Sequence, residues 1–241
     1  MATTTTQPQQ FPTPMQPQAI PPLHNGDRLT REEFLRRYEA MPRLKNAELI
    51  EGVVYMPSPV RQEQHGKPHV DIITCLGNYG ATTPGVEAGN SSSLLLDLKN
   101  VPQPDALLII RPEYSGRVKI NKDGYIVGGP ELVGEVSAST ASYDLYDKLE
   151  AYRRNGVQEY VVWRVEDKAI DWFILRGDRF EPMPLGADGY LKSVIFPGLW
   201  LDPQALVAGN LARVLEVVQA GVKSVEHATF VQRLSATGQA H

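Results

Sequence analysis

The 241-residue sequence predicts a single α/β (α+β) domain, on three observations. Residues 131–165 read as strand, helix, strand. Helical periodicity recurs at about 30–41, 68–80 and 202–220. Two hairpin patterns, one turning at Asp123-Gly124 and one at Gly177-Asp178, lie at 117–128 and 169–183.

The elements follow in chain order. Residues 1–27 are rich in Thr, Gln and Pro, carry only Asp27 as a charge, and predict a disordered tail. Order is expected from Thr30, where Thr30 and Glu33 make a capping box before Phe34, Leu35 and Tyr38. That helix stops near Met41-Pro42. Residues 47–50 and 53–56 predict two strands about Glu51-Gly52. Pro68 to Gly80 predicts a helix burying Val70, Ile73, Leu76 and Tyr79. Strands are expected at 91–97, 105–110 and 132–136. The next helix starts at Ser or Thr, buries Leu145, Leu149 and Tyr152, and stops at Asn155-Gly156. A strand at 159–165 then completes a right-handed parallel crossover. Asp202-Pro203 opens a helix to about Ala220 with Leu206, Leu211, Val214 and Val218 inward. The expected division is a tail at 1–27, a domain at 28–222, and an extension at 223–241 that is partly helical and frays from about Ser235.

Composition bounds the function. Hydrophobic residues are 42% and charged residues 22%, ordinary globular usage. No apolar run approaches the roughly 20 residues of a membrane span. No basic stretch precedes an apolar core at the N-terminus, so no secretory signal is read there. The lone Cys75 allows no internal disulfide and reads as a small buried hydrophobe. These features lead us to expect a cytoplasmic protein with no membrane partner. A net charge of −4 excludes a protein that coats nucleic acid by bulk electrostatics, while leaving room for a local basic groove.

Motifs exclude further chemistries. There is no phosphate loop, no Gly-x-Gly-x-x-Gly and no paired-cysteine metal site. Of the five histidines only His65 and His69 are helix-spaced, but Pro68 lies between them and the glutamate of a zinc protease is absent. A zinc site is therefore not expected there. What remains is acid on strands. Asp105 begins an apolar strand and Glu135 sits inside Leu-Val-Gly-Glu-Val-Ser. A buried ionised carboxylate costs several kcal/mol unless it is paired or binds a cation. Two such acids on neighbouring strands can share a hard divalent ion. Each also has a plain structural reading: Asp105 as a strand-start cap, Glu135 as a satisfied strand acid. The spacing of Lys148 favours a solvent-facing pair with Asp144.

Five segments together resemble the Uma family of restriction endonucleases, within the PD-(D/E)XK nuclease superfamily. They are AELIEGVVYMPSP, HGKPHVDIITCLGNY, QPDALLI, PELVGEVSASTASYDLYDKLEAYRRNGVQEYVVW and SVIFPGLWLDPQAL, spread over roughly residues 30–210. The resemblance implies a restriction-endonuclease-like core, a mixed β-sheet flanked by helices. It implies a Mg²⁺-dependent (or Mn²⁺-dependent) endonuclease that hydrolyses DNA with a metal-activated water. The alternative is a catalytically inactive binding or scaffold protein on the same fold. Asp105 and Glu135 would be metal ligands, with the Val136 carbonyl as a third. Ser137 stands where the motif lysine is usual, and Lys148 on the following helix would replace it. Glu48 would complete the shell or serve structure; Glu51 ranks below it. DNA is the implied substrate. A homodimer through Leu199, Trp200 and the C-terminal helix is a further expectation.

Overall fold

The computed structural model describes residues 19–56, 61–138 and 144–238. Its centre is a six-stranded mixed sheet. In chain order the strands of that sheet are β3 (Val86–Gly89), β5 (Ala106–Ile110), β8 (Leu132–Ser137), β9 (Glu159–Arg164), β10 (Ala169–Arg176) and β11 (Arg179–Pro182). They lie side by side as β11-β10-β9-β8-β5-β3. Only β8 and β9 run parallel, and the other neighbours are antiparallel. The parallel pair is the crossover expected at 131–165. Every residue of β8 is buried, so both its faces meet packed layers.

The two faces are distinct cores. On one, α2 (Lys67–Ala81), α5 (Leu211–Gly221) and α6 (Val225–Gly238) cover Ala106, Leu108, Leu132, Val136, Val161 and Trp163. On the other, α3 (Leu149–Arg154) packs Tyr152 against Leu107, Val133, Tyr160 and Val162. A third, smaller layer joins α1 (Arg31–Glu39) to the hairpin of β1 (Glu48–Ile50) and β2 (Val53–Tyr55) through Phe34, Leu49 and Val54. Glu51 and Gly52 turn that hairpin with positive φ of 52° and 76°. Leu49 exchanges two backbone hydrogen bonds with Val101, which ties the hairpin to the segment leading into β5.

Smaller elements complete the chain. β4 (Leu94–Leu95) pairs in parallel with β7 (Ile126–Val127), which pairs with β6 (Lys119–Ile120) about the expected Asp123-Gly124 turn. β12 (Leu191–Lys192) pairs with β13 (Trp200–Leu201). Asp202 caps α4 (Pro203–Val207) by accepting from the Ala205 amide at 2.9 Å.

Several expectations are corrected. Residues 19–27 are not a tail: Leu23 is buried beside Phe34, and the Gly26 amide donates to Val54 at 2.8 Å. The tail reading of residues 1–18 and the Ser/Thr start of the helix at 139–143 lie outside the described residues. α2 buries Pro68, Asp71, Ile72, Cys75, Leu76 and Tyr79, so its inner face is rotated and Val70 is 59% exposed. The 202–220 helix is two, α4 and α5, because Gly209 takes a φ of +70° and Asn210 caps a new start. α6 runs past Ser235 to Gly238 and buries Phe230 and Leu234 in the main core, within the stretch read as an extension. Leu199, expected on a dimer face, is fully buried, and Trp200 is engaged by Glu226 and Lys192. Leu199 therefore offers no surface to a partner, while Trp200 stays half-exposed.

Candidate acidic and histidine centre

Glu135 projects from β8 toward α3. Side chains alternate along a strand, so Val133, Glu135 and Ser137 share that face while Leu132, Gly134 and Val136 face α2. Asp105 comes one residue before β5. The antiparallel register pairs Ala106 with Gly134, and one step further sets Asp105 across from Glu135. The Val136 amide donates to Asp105 Oδ2 at 2.7 Å. Asp105 thus fills the strand-start role, its carboxylate extending the ladder one step beyond β5.

Lys148 closes the other side. It does not face solvent with Asp144, as its spacing favoured; it is 5% exposed. Its Nζ donates to Glu135 Oε1 at 3.0 Å and lies 2.9 Å from Glu48 Oε1 and 3.7 Å from Asp144 Oδ1. The Tyr152 hydroxyl, one helical turn on, donates to the same Glu135 oxygen at 2.8 Å. A π-helical turn, Asp144–Lys148, widens the chain just before α3 and carries the lysine inward. Glu48 reaches the cluster from β1 and also accepts from the Gln103 amide at 2.7 Å. Glu51 stays in its turn, where it pairs with Arg154 and accepts from Asn100 Nδ2 at 3.1 Å.

Two histidines that the sequence reading set aside arrive at Asp105. His65 lies in a second π-helical turn, Gln62–Gly66, and His69 in the first turn of α2. His65 Nε2 is 3.2 Å from Asp105 Oδ1, and His69 Nε2 donates to the Asp105 carbonyl at 2.8 Å. His65, His69 and Asp105 present ligand atoms within 4.8 Å of one another, the one such group among the described residues. The signal was an i,i+4 pair ahead of a strand acid. It was discounted because Pro68 intervenes, yet proline suits the first turn of α2 and the wide turn before it restores the alignment.

The electrostatics follow from the crowding. Burial, reinforced by Asp144, Asp105 and Glu48, pushes the Glu135 carboxyl well above the ordinary range against the pull of Lys148. Burial opposes charge on Lys148, but Glu135, Glu48 and Asp144 hold it firmly protonated. Burial raises Asp105, and the His65 hydrogen bond and Val136 amide outweigh it, leaving the carboxyl below its usual value. The His65 ring is raised by its hydrogen bond to Asp105. Among the described residues four carboxylates, one lysine and two histidines thus share one centre. The donors around Glu135 are carboxylate oxygens, which would fit a hard cation, while those around Asp105 include two imidazole nitrogens. A groove of about 460 Å³ bordered by Glu87, Leu107, Ile120 and Tyr125 includes none of these residues.

The comparisons agree with the architecture. A family model, Uma2, described as "Putative restriction endonuclease", matches residues 31–204. A crystal structure of a putative nuclease belonging to DUF820 from Anabaena variabilis superposes with a TM-score of 0.51 at 15% identity. The match covers 74% of this chain and 99% of that one. At that identity the likeness is one of fold. No curated protein matches the sequence. No described helix is long and apolar enough to cross a membrane.

Proposed function

The chain belongs to the Uma2 family of restriction-endonuclease-like nucleases, and from that premise we propose that it is a Mg²⁺- or Mn²⁺-dependent endonuclease of DNA. The observation that supports this reading is the buried Glu135–Lys148–Glu48 cluster lying one strand away from Asp105. Asp105 and Glu135, with the Val136 carbonyl, would hold the cation. When bound, the cation lowers the pKa of a water and offsets charge on the phosphate.

The chain's own residues do the rest. Lys148 keeps Glu135 and Glu48 oriented and sets a fixed positive charge beside the site where phosphate charge develops. It takes the part of the strand lysine that Ser137 lacks. Tyr152 fixes the Glu135 carboxylate through the same oxygen that Lys148 holds. Glu48 belongs to the cluster as a partner of Lys148.

Supercoiled plasmid incubated with and without Mg²⁺ or Mn²⁺ tests the proposal. Cleavage is expected only with the cation, with a loss of about a hundredfold or more in Asp105→Asn, the scale of removing one charge-stabilising group. One observation favours the alternative of a silent binding protein: Lys148 and Glu135 satisfy each other as a buried pair. Saturable DNA binding with no nicking under any divalent ion would establish that reading instead.

A further inference from the structure

We infer that His65, His69 and Asp105 form a separate binding position for an imidazole-favouring divalent transition ion, of the Co²⁺ or Zn²⁺ kind. It stands beside the oxygen-lined position proposed above, rests on that reading only in sharing Asp105, and differs from it in ligand chemistry.

The Asp105 carboxylate faces two ways. Oδ2 accepts from the Val136 amide at 2.7 Å, toward β8 and Glu135. Oδ1 faces His65 Nε2 at 3.2 Å, toward α2. An ion held at roughly 2.1–2.2 Å by both of these atoms would see them about 95° apart, an ordinary angle between neighbouring ligands. The three ligand atoms span 4.8 Å. Two ligands on opposite sides of such an ion stand about 4.2 Å apart, so a small side-chain adjustment closes the set. His65 and His69, four residues apart where the wide turn meets α2, project to the same side. Their rings meet edge to face at 5.5 Å.

Ligand type decides which ion. Two imidazoles suit Co²⁺, Cu²⁺ and Zn²⁺, whereas Mg²⁺ and Mn²⁺ favour oxygen. Three protein ligands leave positions open for water or a phosphate oxygen. The site is reachable, since the His65 side chain is 24% and the Asp105 side chain 16% exposed. In the metal-free chain His65 faces the Asp105 carboxylate and His69 donates to the Asp105 main-chain carbonyl at 2.8 Å, so an arriving ion would draw the second imidazole off that carbonyl.

The test uses the full chain stripped of metal. Loaded with Cu²⁺, which imidazole favours, it should show nitrogen-14 modulation from coordinated imidazole by pulsed electron paramagnetic resonance. Titrated with Co²⁺, it should give visible ligand-field absorption. His65→Ala and His69→Ala should each weaken Co²⁺ binding about tenfold or more. Glu135→Gln should leave Co²⁺ affinity within twofold while abolishing Mg²⁺-dependent cleavage, which separates the two positions. A protein that never cleaves DNA but gives the nitrogen signal keeps this site and loses the nuclease reading. Absence of the nitrogen signal, or Co²⁺ affinity unchanged in both histidine variants, overturns the site. Should the histidine variants fail to fold, the nitrogen signal in a chain lacking His24 and His241 decides the question.

Discussion

Lys148 carries its charge at 5% exposure because three carboxylates surround it. Remove it and Glu135 is left buried with the Tyr152 hydroxyl and its acidic neighbours. Lys148→Met should therefore cost about 3–5 kcal/mol, read as a shift of the urea unfolding midpoint. Tyr152→Phe removes one hydrogen bond from the same oxygen and should cost about 1–2 kcal/mol. If Lys148→Met unfolds at the same midpoint as the parent, the pair is not what keeps this acid buried. At this scale Asp105 and Glu135 were legible, since acids inside apolar strands are conspicuous. Lys148 was half legible: its i,i+4 relation to Asp144 holds, but spacing cannot tell the buried side of a helix whose first turn is a widened one. His65 and His69 were hidden differently, because Pro68 stands between them and the glutamate of a zinc protease is absent.

The parallel crossover, the two hairpins and the first helix could be read from period, caps and turn residues. β3 could not, because Val-Glu-Ala-Gly carries one buried residue and its strand state comes from pairing with β5. β12 and β13 are two residues each and exist only by facing one another. The rotated face of α2 has a similar origin: Asp71 is buried while Val70 is exposed, reversing what hydrophobicity alone selects. Lys67 pairs with Asp71 at 2.5 Å and makes that burial tolerable. Helix α5 is held to the β12–β13 connection by glycine on glycine. A Cβ on Gly221 would sit 2.1 Å from the Gly198 carbonyl oxygen. Gly221→Ala should therefore push α5 outward and lower stability by about 1–3 kcal/mol, with far-ultraviolet circular dichroism largely kept. A neutral effect would mean the helix has room that this contact denies.

For the whole molecule, the two best-placed histidines pull stability in opposite directions with pH. Burial lowers the His227 ring, whose Nε2 faces the Thr83 hydroxyl at 3.0 Å. The unfolded chain then takes up that proton first, so this stability is present above about pH 6.5 and falls as pH drops below it. His65 is raised by Asp105, so its contribution is present below about pH 6.5 and is lost as pH rises through its folded value. Urea midpoints at pH 5.5 and 7.5 should thus show a shallower acid loss in His227→Gln and a steeper one in His65→Gln. The same slope in all three proteins would refute the assignment. Global features were the least legible. Composition bounds the class, but the placement of α6 against the main core depends on contacts such as Phe230 with Phe196, far apart in sequence.

Both wide turns, Gln62–Gly66 and Asp144–Lys148, sit where the chain delivers a charged group to the centre. Each adds about one residue to a turn, and one residue rotates a helix by about 100°. In these two places the count of residues, more than their identity, aims the side chains. Evolution can therefore swap letters there cheaply but cannot insert or delete one. At the Gly177 hairpin tip, where an added Cβ would touch nothing, length is free to drift. Related chains should keep fixed spacing across both wide turns while varying the length of that tip.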